Sequence, residues 1–296
     1  ITSNTSFTFS TAVLVPPTNM IISALIAASK DPVTGASTGI GYALAKELAK
    51  DAKQLILTAT ARSEDKLKIL ADDIKASGVE AHVFLKDLSI PGAAEELYNE
   101  ITNSGLSIDL LINNAGYGRW GNLTSMDRDD YANMIQLNIV ALTDLCHLCI
   151  PNMITQGGGG IINVGSMASL SPIPYAGIYS SSKAYVLMFS EAIRYEYQEK
   201  GIQVMALLPG GTESEFAKVA TEKSEKLTRR NEKRKGSNIG MQTSEEVAIE
   251  CLAAFKKNKQ YLLCGRNNRI LFTLTKFMTR KGILKMTGNM FKRIAG

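Results

Sequence analysis

Histidine is nearly absent from this chain, with His82 and His147 the only two in 296 residues. Zinc sites built on imidazole, and nucleophilic triads that need a histidine base, therefore have little to draw on, and no metal site is expected. Cysteine is sparse too. Cys146, Cys149, Cys251 and Cys264 are too few and too scattered for a disulfide framework, which fits a reducing compartment. Cys146 and Cys149 have redox-motif spacing, but Leu137 to Cys146 reads as a buried helix, where cysteine packs as a small apolar residue. No apolar run reaches the roughly 18 to 20 residues of an uninterrupted membrane span. Phe7 to Ala28 is divided by Pro16-Pro17 and Thr18-Asn19, and no basic residue precedes it as in a secretory signal. Acidic residues are missing from Cys251 to Gly296, a stretch that holds 11 of the 33 Lys and Arg. The preceding 250 residues carry 22 basic against 28 acidic side chains, so the net charge of +5 comes from the tail. Such a tail suits an acidic surface or a solvated helix face.

What is present is an alternation. From about Val33, apolar runs rich in β-branched residues alternate with amphipathic stretches, the pattern of βαβ units. The expected strands are Gln54–Ala61, Ala81–Leu85, Leu110–Asn113, Gly160–Val164, Gln203–Leu208 and Tyr261–Cys264. The expected helices are Gly41–Ala49, Ser63–Ala76, Pro91–Thr102, Arg128–Cys149, Tyr179–Gln198 and Ser244–Phe255. The fold class that follows is α/β, a single doubly wound Rossmann-like domain with a mainly parallel sheet. Residues 1–30 read as an atypical amino-terminal extension, 31–265 as the Rossmann-like domain and 266–296 as a basic amphipathic helical tail. Glu213 to Gly240, dense in Lys, Glu, Arg and Ser, reads as an excursion over the carboxyl edge of the sheet, either a lid or a solvated loop.

Thr34-Gly-Ala-Ser-Thr-Gly-Ile-Gly41 precedes the first amphipathic helix. Glycines there allow a tight turn close to a pyrophosphate, and the helix amino terminus supplies free N–H groups and a favourable dipole. At the end of the second strand an acidic residue would bind the ribose 2′-hydroxyl of NAD; Arg62 stands there instead, and a guanidinium pairs with a 2′-phosphate. NADP(H) is therefore favoured over NAD(H). Tyr179 and Lys183 are one helical turn apart. An ammonium beside a phenol favours the phenolate, making the pair a proton donor and acceptor.

With these residues assembled, the chain resembles the short-chain dehydrogenase/reductase family over roughly Val33 to Cys264. Thr34 to Gly41 is similar to the family's glycine motif, with Gly35, Ser37, Thr38, Gly39, Ile40 and Gly41 as its cofactor residues. Asp87 and Leu88 match the adenine-contacting position, and Asn114, Ala115 and Gly116 the segment closing the fourth strand. Pro209, Gly210, Thr212 and Ser214 match the loop after the sixth strand, which faces the nicotinamide half. The resemblance implies a catalytic set of Asn138, Ser166, Tyr179 and Lys183. In that set Ser166 and Tyr179 stabilise the developing oxyanion, and Tyr179 is the general acid in reduction and base in oxidation. Lys183 lowers the phenol's pKa and holds the nicotinamide ribose, and Asn138 positions water. Tyr179 and Lys183 thus also count among the cofactor contacts.

Two departures stand out. Lys30-Asp-Pro-Val33 intervenes where the family runs a strand directly into the glycine motif, so either Ile21–Ala28 is the first strand with an inserted bulge or the amino-terminal region is a variant or incorrectly translated stretch. Thr38 also stands where some NADP-preferring members have a basic residue. The implied function is an NADP(H)-dependent oxidoreductase interconverting a ketone and a secondary alcohol; a catalytically silent NADP(H)-binding sensor or scaffold is the alternative. Tyr117 to Trp120, Pro172 to Tyr175 and Phe216 are candidates for an apolar pocket wall, suited to a ketoacyl chain, a steroid-like ketone or an aliphatic ketone. The family implies a homodimer or homotetramer. Cytoplasmic localisation is expected, and nucleic acid is not an expected partner. The tail fits peripheral membrane contact, a subunit interface or a cover over the pocket.

Overall fold

The computed structural model describes residues 19–23, 39–50, 54–59, 64–212 and 241–295. Its strands are β1 (Asn19–Ser23), β2 (Gln54–Ala59), β3 (Glu80–Leu85), β4 (Leu110–Asn113), β5 (Gly159–Val164), β6 (Ile202–Leu208) and β7 (Tyr261–Leu263). They form one seven-stranded sheet in the order β3-β2-β1-β4-β5-β6-β7, parallel throughout. The order reverses between β1 and β4, the switch point where ligands bind at the carboxyl ends of a doubly wound sheet.

The helices that cover it are α1 (Gly39–Leu48), α2 (Glu64–Ala76), α3 (Ala93–Asn103), α4 (Arg128–Ile135), α5 (Leu142–Thr155), α6 (Gly177–Tyr197) and α7 (Ser244–Lys256). Residues of β4, β5 and β6 point alternately to two cores, as the strand period demands. Leu111, Ile161 and Val204 join α3, α5 and α6 on one face. Leu110, Ile162 and Met205 join α1, α2 and α7 on the other. Strands buried on both sides need continuous apolar runs, which is why β4 to β6 were legible beforehand.

Three expectations need correction. The described first strand is Asn19–Ser23, which starts two residues before the expected Ile21 and is in register with Leu110–Asn113 and Gln54–Thr58; residues 24–28 lie outside the described residues. The sheet therefore takes in residues ahead of the boundary expected at residue 31. The described part of the second strand is Gln54–Ala59, and residues 60–63, with the expected end at Ala61, lie outside the described residues. The helix expected to stop at Cys149 continues to Thr155. Pro151 lacks one intrahelical N–H but does not end it. Between α4 and α5 this helix passes without a break through the π-helical segment Gln136–Ala141.

Cys146 and Cys149 are fully buried in α5, and burial pushes the Cys146 thiol up to about 12. They pack as apolar residues. Arg128–Thr155 is long and apolar enough, at a mean hydropathy of 1.4, to cross a membrane by length and composition; half of its apolar window is buried in this fold. The tail forms α8 (Arg266–Thr275) and α9 (Arg280–Ala295).

Candidate active site

The carboxyl ends of β4 and β5 are locked together before the site begins. Asn113 and Asn163 are cross-strand partners, and the Asn113 Nδ2 donates to the Asn163 Oδ1 at 2.8 Å. The Asn163 Nδ2 donates to the Ser190 Oγ of α6 at 3.0 Å. A buried amide pair of this kind sets register, which fixes the relative heights of the two loops that follow.

After β5 the backbone of Ser166 is extended and caps a 3₁₀ turn, Met167–Leu170. The Ser166 Oγ accepts from the Ala168 N–H at 3.1 Å, and the Ser169 Oγ accepts from the Ser166 N–H at 3.3 Å. The Ser169 hydroxyl donates to the Lys183 carbonyl at 2.6 Å, tying this turn to α6. The Met167 N–H donates to the Pro209 carbonyl at 2.8 Å, which ties the turn to the loop after β6.

Tyr179 lies in the first turn of α6, where the helix dipole favours negative charge. Burial pushes its phenol up to about 12, and a hydrogen bond with Ser166 opposes that rise. Lys183, one turn on, is also buried; its Nζ donates to the Val164 carbonyl at 2.8 Å, and burial lowers it to about 8. At neutral pH Tyr179 therefore carries its proton beside an ammonium that is mostly charged. The influence opposing burial on Tyr179 is the Ser166 hydrogen bond, rather than the Lys183 charge expected from spacing.

Asn138 sits inside the π-helical segment, fully buried. A π turn accommodates an extra residue, a device often found at functional positions. Its Nδ2 donates to the Tyr117 carbonyl at 2.9 Å and to the Ser182 Oγ at 3.0 Å, and its Oδ1 accepts from the Tyr117 N–H at 3.1 Å. The Ser182 hydroxyl donates to the Tyr179 carbonyl at 2.8 Å, which completes a chain from Asn138 to the helix turn holding Tyr179. Ser182 was missed from sequence; its only signal was its place, three residues past Tyr179 and next to Lys183.

Gly116 marks where Asn138 and Lys183 meet. A Cβ built on it would lie 2.8 Å from the Asn138 Oδ1 and 3.0 Å from the Lys183 Nζ, so the loop after β4 crosses the site at a distance only glycine permits. Gly210 plays a similar part after β6, where a Cβ would collide with the Asn268 side chain of α8.

The remaining predicted cofactor residues fall along the same edge. Gly39 (φ 76°), Ile40 and Gly41 open α1. Leu88 is buried, and the Asp87 Oδ1 accepts from the Ser89 N–H and hydroxyl at 3.0 and 2.7 Å, which shapes the turn after β3. Asn114, Ala115 and Gly116 follow β4, and Pro209, Gly210 and Thr212 follow β6. Gly35, Ser37, Thr38, Arg62 and Ser214 lie outside the described residues, as do Lys30 to Val33 and Phe216. Thr212 forms a parallel bridge with Gln242, which closes the neck of the 213–240 excursion.

Of the expected pocket wall, Tyr117 is packing material. It is buried, its hydroxyl donates to the Asp130 carbonyl at 2.9 Å, and burial pushes it up to about 12. Trp120 meets Phe291 of α9 edge-on, with centroids 5.7 Å apart. The Thr287 hydroxyl donates to the Pro172 carbonyl at 3.2 Å. Helix α9 thus covers the two segments read as pocket wall.

Residues 32–225 match the short chain dehydrogenase family. This chain belongs to that family. Human very-long-chain 3-oxoacyl-CoA reductase is 33% identical to it over 193 residues, covering 63% of this chain and 60% of the relative. Human inactive hydroxysteroid dehydrogenase-like protein 1 is 35% identical over 182 residues, covering 60% and 54%. The chain thus spans less than two thirds of the length of these curated relatives. Among solved structures, a short-chain dehydrogenase from Sphingobium yanoikuyae in complex with NADPH shares 26% identity, with a TM-score of 0.67 over 81% of this chain and 87% of that one. The short-chain dehydrogenase fold is therefore this chain's own.

Proposed function

We propose that the chain is an NADP(H)-dependent oxidoreductase interconverting a ketone and a secondary alcohol, with a hydrophobic 3-oxoacyl thioester as substrate. The observation that carries this reading is the meeting of Asn138 and Lys183 at Gly116, with Ser166 hydrogen-bonded to Tyr179 one helical turn from Lys183. The dinucleotide fits the chain's own features. The loop at Gly116 has no room for a side chain, and Gly39 turns with positive φ into the free amides of α1. Gly39 to Gly41 would hold the pyrophosphate, Asp87 and Leu88 the adenine side, Lys183 the nicotinamide ribose, and Pro209 to Thr212 the nicotinamide edge. Arg62 favours a 2′-phosphate, and one structural relative was solved with NADPH.

When bound, the nicotinamide supplies the hydride. Charge developing on the substrate oxygen is met by the Ser166 and Tyr179 hydroxyls, donors already held together. Tyr179 gives up its proton as that charge forms, and the Lys183 ammonium and the dipole of α6 stabilise the phenolate left behind. Asn138 holds the backbone of Tyr117 and, through Ser182, that of Tyr179, so the donor does not drift. A long acyl chain suits the apolar cover of Trp120, Pro172 and Phe291, and a relative one third identical is a very-long-chain 3-oxoacyl-CoA reductase. Homodimer or homotetramer assembly in the cytoplasm, with membrane contact through the tail, completes the reading.

The test is oxidation of NADPH and NADH, in parallel, with long-chain 3-oxoacyl-CoA and with small ketones. Turnover with NADPH, lost on Tyr179→Phe by about a thousandfold while nucleotide binding persists, is the expected result. A silent binding protein is the second reading, favoured by the relative named inactive. Tight NADPH binding without turnover on any carbonyl would establish it instead.

A further inference from the structure

We infer that α8 and the turn after it form a docking surface for an anionic lipid bilayer. Ile270, Leu271, Leu274, Phe277 and Met278 are all exposed, with Leu274 60% and Phe277 87% accessible. At 3.6 residues per turn Ile270, Leu271 and Leu274 of α8 share an arc of about 100°, the width of an apolar face that ordinarily packs against something, and Phe277 and Met278 follow in the turn after the helix. None of the residues of α8 is buried, so the body does not cover this stripe. Helix α9 adds exposed Leu284, Met286 and Met290, while its Thr287 and Phe291 turn inward onto Pro172 and Trp120.

Charge selects the occupant. No Asp or Glu occurs anywhere after Glu250, and the stripe is flanked in sequence by Arg266, Lys276, Arg280 and Lys281. Arg269 is engaged with Glu250 at 3.0 Å and does not count. An apolar stripe bordered only by cations meets no repulsion from phosphate headgroups, and each cation near an anionic surface is worth about fivefold in affinity. A second copy would instead bring the same cations against themselves. Nucleic acid would satisfy the cations but leave the Leu and Phe side chains without partners.

The geometry also sets the orientation. Helix α8 starts just beyond the carboxyl end of β7, and its Asn268 packs against Gly210 in the loop after β6. Docking through α8 turns the carboxyl edge of the sheet, with Ser166 and Tyr179, towards the bilayer. This inference does not depend on which reaction the site catalyses.

The experiment is sedimentation of the full chain with vesicles of phosphatidylcholine alone or with about 30% phosphatidylserine, at low and high salt. Binding at least about tenfold stronger to the anionic vesicles, weakened by salt, is expected. The double variant Leu274→Asp/Phe277→Asp, exposed enough to fold normally, should lose at least about tenfold of that binding. Met188→Asp, an equally exposed change on α6, should lose none. Absence of binding at low salt, or a double variant that binds like the parent, overturns the inference. So does a double variant that changes the oligomeric mass but not vesicle binding, which would assign the stripe to a second copy. Nucleotide binding in the same samples reads the catalytic proposal separately.

Discussion

Gly116→Ala tests the convergence of the site with a single methyl group. The added carbon would sit 2.8 Å from the Asn138 Oδ1 and 3.0 Å from the Lys183 Nζ, both closer than ordinary contact allows. Neither atom can retreat cheaply. The Asn138 oxygen is held by the Tyr117 N–H at 3.1 Å and the Lys183 nitrogen by the Val164 carbonyl at 2.8 Å. Relief means loosening one buried hydrogen bond or straining the loop after β4, and either costs about 2 kcal/mol. Displacing Asn138 or Lys183 by a few tenths of an ångström also misaims the proton donor, for which we expect about a hundredfold loss of kcat. Urea denaturation followed by the fluorescence of Trp120, the sole tryptophan, gives the stability, and NADPH oxidation the activity. Gly177→Ala is the control, because a Cβ there meets nothing within 4 Å; its stability should be unchanged or slightly raised. A Gly116→Ala protein within about 0.5 kcal/mol and twofold of the parent would refute the crowding that the geometry describes.

Lys183→Met should change how stability depends on pH. The lysine falls from 10.5 unfolded to about 8 folded, so between these values the unfolded chain binds the extra proton and stability rises with pH, by about 2 to 3 kcal/mol from pH 8 to 10. The variant should lack that rise in denaturation measured at both pH values, and an identical slope would show that Lys183 is not desolvated. Reduction catalysed by the parent should fall as pH climbs through about 8, since the ammonium is lost while Tyr179 keeps its proton. Asn138→Asp puts a carboxylate against the Tyr117 carbonyl where an amide donated, and calorimetry should show a drop of about 10 °C in Tm. An unchanged Tm would remove Asn138 from the network. Phe291→Ala should shift Trp120 emission to the red and raise KM for long acyl substrates while sparing small ketones; an unshifted spectrum would mean that α9 does not cover Trp120.

The parts of the fold that could be read in advance share a cause. Leu110–Asn113, Gly159–Val164 and Ile202–Leu208 are buried on both faces, and that burial demands uninterrupted apolar sequence. The start of the first strand was misplaced because the polar Asn19 lies ahead of the apolar run, so pattern alone could not say where pairing begins. The π-helical segment was invisible for a different reason. An extra residue in one turn shifts the helix face without altering which residues are apolar, so Asn138 could be identified only through the family motif and not through its surroundings. Tyr179 and Lys183 were legible from spacing, yet the partner that opposes the burial of the phenol proved to be Ser166, a contact between two elements that spacing along one helix cannot reveal. The tail as a cover over the pocket was one of three readings the sequence offered, and sequence could not choose among them because the contact joins residues more than a hundred positions apart.

The Thr212–Gln242 bridge makes the neck between β6 and α7 a seam. Chain that departs and returns at neighbouring points leaves what lies outside it in place. The bridge therefore holds Pro209 to Thr212 and the start of α7 side by side whatever length of chain joins them. Gln242→Pro, which removes a backbone donor at that seam, should lower the melting temperature, while the helices remote from it stay intact by circular dichroism.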